Sequence, residues 1–175
     1  MDQITIDSIF KRFDESMPQK YVKKILDARI YDLALETPVE KAPLLSQRFN
    51  NNILLKREDL QPVFSFKVRG AYNKLRCLSD AQRSAGVIAA SAGNHAQGLA
   101  LAAKKMNVNA TIVMPVTTPE IKVDAVRSRG ANVVLIGDNY DAAATHANQL
   151  VQEKGLTYIH PVSYTHLRAH ETVAN

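Results

Sequence analysis

The second half of the chain alternates short apolar runs with longer amphipathic segments, and this alternation restricts the fold more than any other feature. Four apolar runs are predicted to be strands: residues 87–90, 110–114, 132–136 and 157–159. Three segments with apolar residues at helical spacing are predicted to be helices: residues 94–106, 119–128 and 139–154. Such alternation is typical of a parallel sheet with right-handed crossovers. The sequence therefore predicts an α/β fold, a parallel sheet covered by helices on both faces.

The first half of the chain is less regular. A helix is predicted over residues 19–35, ending before Pro38, because a residue that precedes proline avoids the helical region. Two short strands are expected at residues 43–46 and 53–56, with a polar turn between them. A further helix is expected over residues 67–78, followed by a short helix that begins at Ser79 and Asp80.

Charge and cysteine content exclude several classes of protein. The 22 Lys and Arg exceed the 17 Asp and Glu, but they are scattered, and aromatic residues make up only 6% of the chain. A nucleic-acid partner is therefore not expected. The single cysteine, Cys77, excludes a disulfide framework and a cysteine-built zinc site. Neither a signal peptide nor an apolar run of about 18 residues is present, so we expect a cytoplasmic protein with no membrane partner.

The loop after the first predicted strand is the leading candidate for a ligand site. Ligands bind beyond the carboxyl ends of parallel strands, which selects residues 91–95, 115–119 and 137–139. In the first of these loops, small residues and free N–H groups at a helix start favour an anion. A dinucleotide fingerprint would need a third glycine beside Gly93 and Gly98, and a P-loop would need a lysine after Gly98. A plain tight turn remains the alternative.

Lys67 and His95 are the candidate residues for nucleophilic or acid–base chemistry. Apolar neighbours surround Lys67 in the sequence FSFKV, and loss of solvation would favour an amine that acts as nucleophile or base. The alternative is a surface lysine at a helix start. His95 is either a base or a packing or capping residue. The charged residues 56–59 are either an ion-pair cluster beside the site or a solvated strand end, and we expect the strand end.

Taken together, these segments match the pattern of a known enzyme family. Four segments carry the match in chain order: KREDLQPVFSFKVRGAY (56–72), ASAGNHAQG (90–98), VMP (113–115) and IKVDAVR (121–127). They resemble the threonine dehydratases, also called threonine ammonia-lyases, which are pyridoxal-phosphate enzymes of the tryptophan synthase β-like fold (fold type II). The resemblance covers about residues 20–161. It implies that fold, an amino-acid substrate and pyridoxal 5′-phosphate as cofactor.

The resemblance also implies roles for individual residues. Lys67 would bind the cofactor covalently and act as the catalytic residue, Phe66 would pack beside the cofactor ring, and Asn94 would donate a hydrogen bond to the ring's phenolic oxygen. Five residues would receive the substrate carboxylate: Ser91, Ala92, Gly93, Asn94 and His95. The implied reaction is deamination of L-threonine to 2-oxobutanoate and ammonia, in isoleucine biosynthesis or threonine catabolism. A serine dehydratase, a serine racemase or a non-catalytic fragment remains the alternative.

Finally, the resemblance implies a division of the chain. Residues 1–66 would be the N-terminal portion of a larger domain and residues 67–161 a smaller α/β domain. The family's glycine-rich phosphate loop is not found, so we expect an incomplete N-terminal fragment, inactive by itself, of a homo-oligomeric enzyme. Residues 162–175 resemble a translated sequencing adapter and are expected to be non-native. His166 and His170 in that tail are therefore not expected to bind a metal.

Overall fold

A small antiparallel sheet and short helices make up the first part of the chain. The computed structural model describes residues 17–161, with side chains from residue 22 onward. The helices and strands of this part are α1 (Met17–Leu26), β1 (Val39–Lys41), α2 (Pro43–Arg48) and β2 (Leu54–Lys56). Two 3-10 turns accompany them, Ile30–Asp32 and Glu58–Leu60. β1 and β2 pair antiparallel, with Val39 opposite Lys56.

Two expectations for this part are wrong. The helix expected over residues 19–35 ends at Leu26. Val22 and Ile25 on its apolar side are more than half exposed, and helices depend on packing more than on periodicity. The strand expected at residues 43–46 is the start of α2, because Pro43 stands in the first helical turn, where its missing N–H costs nothing. The strand expected at residues 53–56 is confirmed as β2.

The second part has the regular alternation that the sequence predicts. Its elements are α3 (Lys67–Arg76), α4 (Asp80–Ala85), β3 (Val87–Ala90), α5 (Asn94–Met106), β4 (Ala110–Met114), α6 (Glu120–Arg127), β5 (Asn132–Leu135), α7 (Tyr140–Lys154) and β6 (Thr157–Tyr158). Ser79 starts α4 in a capping box with Gln82, as expected. Gly155 ends α7 in the left-handed conformation that favours glycine.

The four strands of this part form one parallel sheet with a packed layer on each face. Their order is β5-β4-β3-β6, and every neighbouring pair is parallel. Leu75 of α3, Leu99 of α5 and Val126 of α6 pack on one face. Ala143 and Ala147 of α7 pack on the other. Strands buried on both faces explain the continuous apolar runs in the sequence.

Candidate active site

The strand order places one loop at the point where the order in which strands are added to the sheet reverses. The chain runs from β3 through β4 to β5, and then returns to add β6 on the other side of β3. Accordingly, α5 and α6 cover one face and α7 covers the other. In open parallel sheets a ligand crevice forms beyond the carboxyl ends of the strands at such a reversal. Here this position is the loop of residues 91–93, between β3 and α5.

The other two loops selected from the sequence bond to each other. The backbone N–H of Val116 donates to the Gly137 carbonyl oxygen at 2.8 Å. The Thr117 hydroxyl donates to the Asp138 carbonyl oxygen at 3.2 Å. These bonds tie the loop after β4 to the loop after β5, on the side of the sheet away from β6. The loop after β3 is therefore the one that adjoins the reversal.

The loop after β3 is open and ends at a helix N-terminus. Ser91 N–H donates to the Val113 carbonyl oxygen at 3.1 Å, which fixes the start of the loop on the neighbouring strand. Gly93 N–H donates weakly to Ser91 Oγ at 3.4 Å. A Cβ at Gly93 would meet no atom within 4 Å, so the loop borders open space. Asn94 is the exposed first residue of α5, which begins without a side-chain cap. These N–H groups and the helix dipole favour a carboxylate or phosphate.

Lys67 begins the helix that packs against α5. A Cβ on Gly98 would lie 3.1 Å from both the Lys67 carbonyl carbon and the Val68 nitrogen, so the backbones of α3 and α5 are in close contact there. The Lys67 side chain is half-buried, and its Nζ lies 4.9 Å from the centroid of the Phe66 ring. At that distance the amine has a favourable interaction with the ring face. Phe66 and Lys67, which are neighbours in the chain, are thus brought close to α5, which belongs to a separate segment.

His95 makes a buried hydrogen bond, which agrees with the alternative that it is a packing residue. Its ring is buried, and Nε2 donates to the Ile159 carbonyl oxygen at 3.0 Å, just after β6. Burial is the largest cause that lowers the pKa of His95 from 6.5 to about 4; the nearby charge of Lys67 also lowers it, and the bond to Ile159 raises it. The imidazole is therefore neutral near pH 7, and it links α5 to the edge of the sheet.

The residues present fit the reactive end and the ring of pyridoxal phosphate. A primary amine can bind the cofactor's aldehyde, an aromatic side chain lies beside that amine, and an exposed amide stands on the adjacent helix start. The open space at Gly93 lets a ligand approach the loop beside the start of α5. Among residues 17–161 no group of three or more His, Cys, Asp or Glu side chains could hold a metal ion. No helix in this range is long and apolar enough to span a membrane.

Known proteins with similar sequences and folds point to the same chemistry. Threonine dehydratase 1 biosynthetic, chloroplastic, from Solanum lycopersicum is 53% identical over 145 residues, which are 83% of this chain and 24% of that protein. The structure of threonine deaminase isoform 2 from the same organism gives a TM-score of 0.83 at 50% identity, covering 89% of this chain and 43% of that one. Maize serine racemase gives 0.78 at 31% identity, covering 83% and 45%.

These matches confirm the expected resemblance and the expected fold. The chain spans about a quarter of the length of the curated relatives it matches. The family model described as "Pyridoxal-phosphate dependent enzyme" matches residues 30–175, which include Lys67 and the loop after β3. The expectation that the cofactor is pyridoxal phosphate agrees with that family. The chain therefore belongs to the family of pyridoxal-phosphate dependent enzymes.

Proposed function

We propose that this chain takes part in the deamination of L-threonine to 2-oxobutanoate and ammonia, as the N-terminal part of a longer lyase. The similarity to threonine dehydratases from several organisms supports the substrate. The coverage of about a quarter of those proteins supports the longer enzyme. The observation that carries the proposal is the contact of the Lys67 backbone with Gly98, which places this lysine beside the helix whose N-terminus follows the candidate loop.

Each group of the site has a proposed task in this reaction. Pyridoxal phosphate, when bound, supplies an electron sink for the negative charge that develops at the substrate's α-carbon. Lys67 Nζ would hold the cofactor and would accept the α-proton of the substrate. Ser91, Ala92 and Gly93, with the first N–H groups of α5, bind the substrate carboxylate. The β-hydroxyl then leaves as water, and water returns when the product is released as 2-oxobutanoate and ammonia.

Phe66 and Asn94 are proposed to orient the cofactor. Phe66 already contacts the Lys67 amine and would limit where the cofactor ring can lie. The exposed amide of Asn94 would donate a hydrogen bond to the phenolic oxygen of the ring. His95 contributes its backbone to the loop, and its neutral buried ring holds α5 in place. This division of roles leaves Lys67 as the catalytic residue.

The test is a comparison of two substrates on a full-length enzyme, by which we mean a protein of the relatives' length that carries residues 17–161 of this chain. We expect 2-oxobutanoate from L-threonine with a higher kcat/KM than pyruvate from L-serine. A preference for L-serine, or formation of D-serine, would favour the serine dehydratase or serine racemase alternative, which the fold shared with maize serine racemase allows. No product from either amino acid would contradict an enzymatic role.

Compartment, pathway and assembly stay predictions. We propose a cytoplasmic homo-oligomer that serves isoleucine biosynthesis, because "biosynthetic" stands in the names of several relatives. The tomato relative is named as chloroplastic and a yeast relative as mitochondrial, so relatives with this sequence pattern occur in more than one compartment. Fractionation of the source cells tests the compartment, and a mass measurement in solution tests the assembly.

A further inference from the structure

A bidentate ion pair joins two residues that lie on either side of Lys67 in the sequence. Arg69 donates from Nε to Glu58 Oε2 at 2.7 Å and from Nη2 to Glu58 Oε1 at 2.8 Å. Two parallel charged bonds of this kind fix the orientation of both groups. The two side chains are only 18% and 17% exposed. Glu58 precedes Lys67 by nine residues and Arg69 follows it by two, so the pair joins the ends of a loop with Lys67 inside it.

The Glu58 carboxylate has further donors. Thr37 Oγ1 donates to Oε1 at 2.6 Å, and Gln61 Nε2 donates to Oε2 at 3.2 Å. The bonds from Arg69 are the largest cause of the lowered pKa of Glu58, and the bond from Thr37 adds to it. The carboxylate is thus held in its charged form by donors from three directions. The expectation of a solvated strand end holds for the neighbouring Asp59, which is exposed. It is wrong for Glu58, which is largely buried.

The same network fastens the loop to the segment before β1. Gln61 is 1% exposed; its side chain donates to the Leu35 carbonyl oxygen at 2.8 Å and accepts from Leu35 N–H at 2.9 Å. Arg69 Nη2 donates to the same carbonyl oxygen at 3.0 Å. Beneath these bonds, Ala34, Val63 and Val68 form a small buried cluster. Polar and apolar contacts therefore both hold this loop against the chain at residues 34–37.

The start of α3 is oriented by contacts with other segments and by the bond from Lys67 N–H to the Ser65 hydroxyl oxygen at 3.3 Å. Phe66, at the cap position, makes no side-chain capping bond. Arg69 belongs to the first turn of α3, so its bonds to Glu58 and Leu35 set the direction of that turn, from which Lys67 projects. Contact with Gly98 fixes the opposite side of the turn. The turn is held between α5 and the Glu58 network.

We propose that Glu58 and Arg69 are positioning residues, which hold Lys67 where its amine can reach the cofactor and the substrate. This inference rests on the proposed role of Lys67, but neither residue touches the reacting groups. A displacement of about 1 Å at a catalytic group can cost ~100-fold in rate. The pair therefore affects the chemical step more than it affects substrate binding.

The test uses Glu58→Gln in the full-length enzyme, which keeps the size of the side chain and removes its charge. We expect kcat for L-threonine to fall ~10- to 100-fold, with KM changed by less than about threefold. The rate at which Lys67 attaches to pyridoxal phosphate, followed by borohydride reduction and mass spectrometry, should fall in parallel. The matched control is Asp59→Asn, which removes the exposed ion pair with Arg57 next to Glu58 and should change kcat by less than about twofold.

Two further variants keep the inference falsifiable. Arg69→Lys retains the positive charge, so its kcat should fall less than that of Arg69→Gln. Arg69→Lys replaces Glu58→Gln in the test if Glu58→Gln does not fold. Combining Glu58→Gln with Arg69→Gln should cost no more than either change alone, because the pair acts as a unit. Unchanged kcat and attachment rate in Glu58→Gln, or a loss confined to KM, would overturn the inference. A wild-type enzyme that attaches the cofactor without deaminating L-threonine would refute the proposed function, while the attachment rates would still decide this inference.

Discussion

At the scale of single residues, His95 couples a buried hydrogen bond to a lowered pKa. Burial shifts the pKa from 6.5 to about 4, so the folded protein binds its proton only at lower pH than the unfolded chain does. The contribution of His95 to the free energy of unfolding is therefore constant above about pH 6.5. It falls as the pH is lowered towards 4, by up to about 3 kcal/mol. Urea unfolding of the chain from pH 7.5 to 4.5 measures this. His95→Gln should flatten the dependence, whereas the partly exposed His146→Gln should not. Equal slopes in both variants would contradict the assignment.

Asn94 offers a spectroscopic test of the cofactor's orientation. Asn94→Ala in the full-length enzyme should shift the pH titration of the visible absorbance band of the bound cofactor, because a hydrogen bond to the phenolic oxygen favours its charged form. Thermal stability should change little, since Asn94 is exposed and starts α5 without capping it. A titration that coincides with the wild type would remove Asn94 from the ring.

Some residues could be found from the sequence and others could not. Lys67 and the loop at residues 91–95 stand out because apolar neighbours or small residues mark them locally. Glu58 has no such mark, since it lies in a run of four charges, of which Arg57 and Asp59 pair with each other at the surface. Its partner Arg69 is 11 residues away on another element. Side chains that meet only through tertiary folding leave no pattern in a single sequence.

At the scale of elements, the contact between α3 and α5 depends on Gly98. The Cβ added by Gly98→Ala would lie 3.1 Å from backbone atoms of Lys67 and Val68, and backbone cannot rotate away as a side chain can. We expect a loss of about 1–3 kcal/mol in the free energy of unfolding, together with slower attachment of the cofactor to Lys67. Denaturant unfolding and mass spectrometry measure the two effects. Wild-type values for both would show that the helices can separate at no cost.

Most of the elements that the sequence predicted well are buried against their neighbours, although the edge strand β5 is only partly buried. β3, β4 and β5 follow from continuous apolar runs, and α5 and α7 follow from apolar faces that the sheet buries. The errors fall where little is buried. α1 has the apolar periodicity of a longer helix but exposed side chains, and α2 has two leucines that suggested a strand. Pro43 is the local signal that should have favoured a helix there.

At the scale of the whole molecule, burial differs between the two parts of the chain. Most of the apolar side chains of β3 and β4 are fully buried, whereas those of β1, α2 and β2, and of α1 from Val22 onward, are largely exposed. Hydrogen exchange of the 175-residue chain should therefore be slow at residues 87–114 and fast at residues 17–56. Equal protection of the two ranges would contradict this account.

We also expect this chain alone to form no 2-oxobutanoate from L-threonine with excess cofactor, and measurable turnover would refute that expectation.

The central claim is that Lys67 is the cofactor-binding lysine, and one measurement tests it directly. The full-length enzyme is loaded with pyridoxal phosphate, reduced with borohydride, digested and analysed by mass spectrometry. We expect one modified peptide that carries the cofactor on Lys67, and no modification in Lys67→Ala or Lys67→Arg, since a guanidinium cannot form the bond. Lys74→Ala, in the same helix, should be modified like the wild type. Attachment at another lysine, or undiminished turnover by Lys67→Ala, would contradict the account.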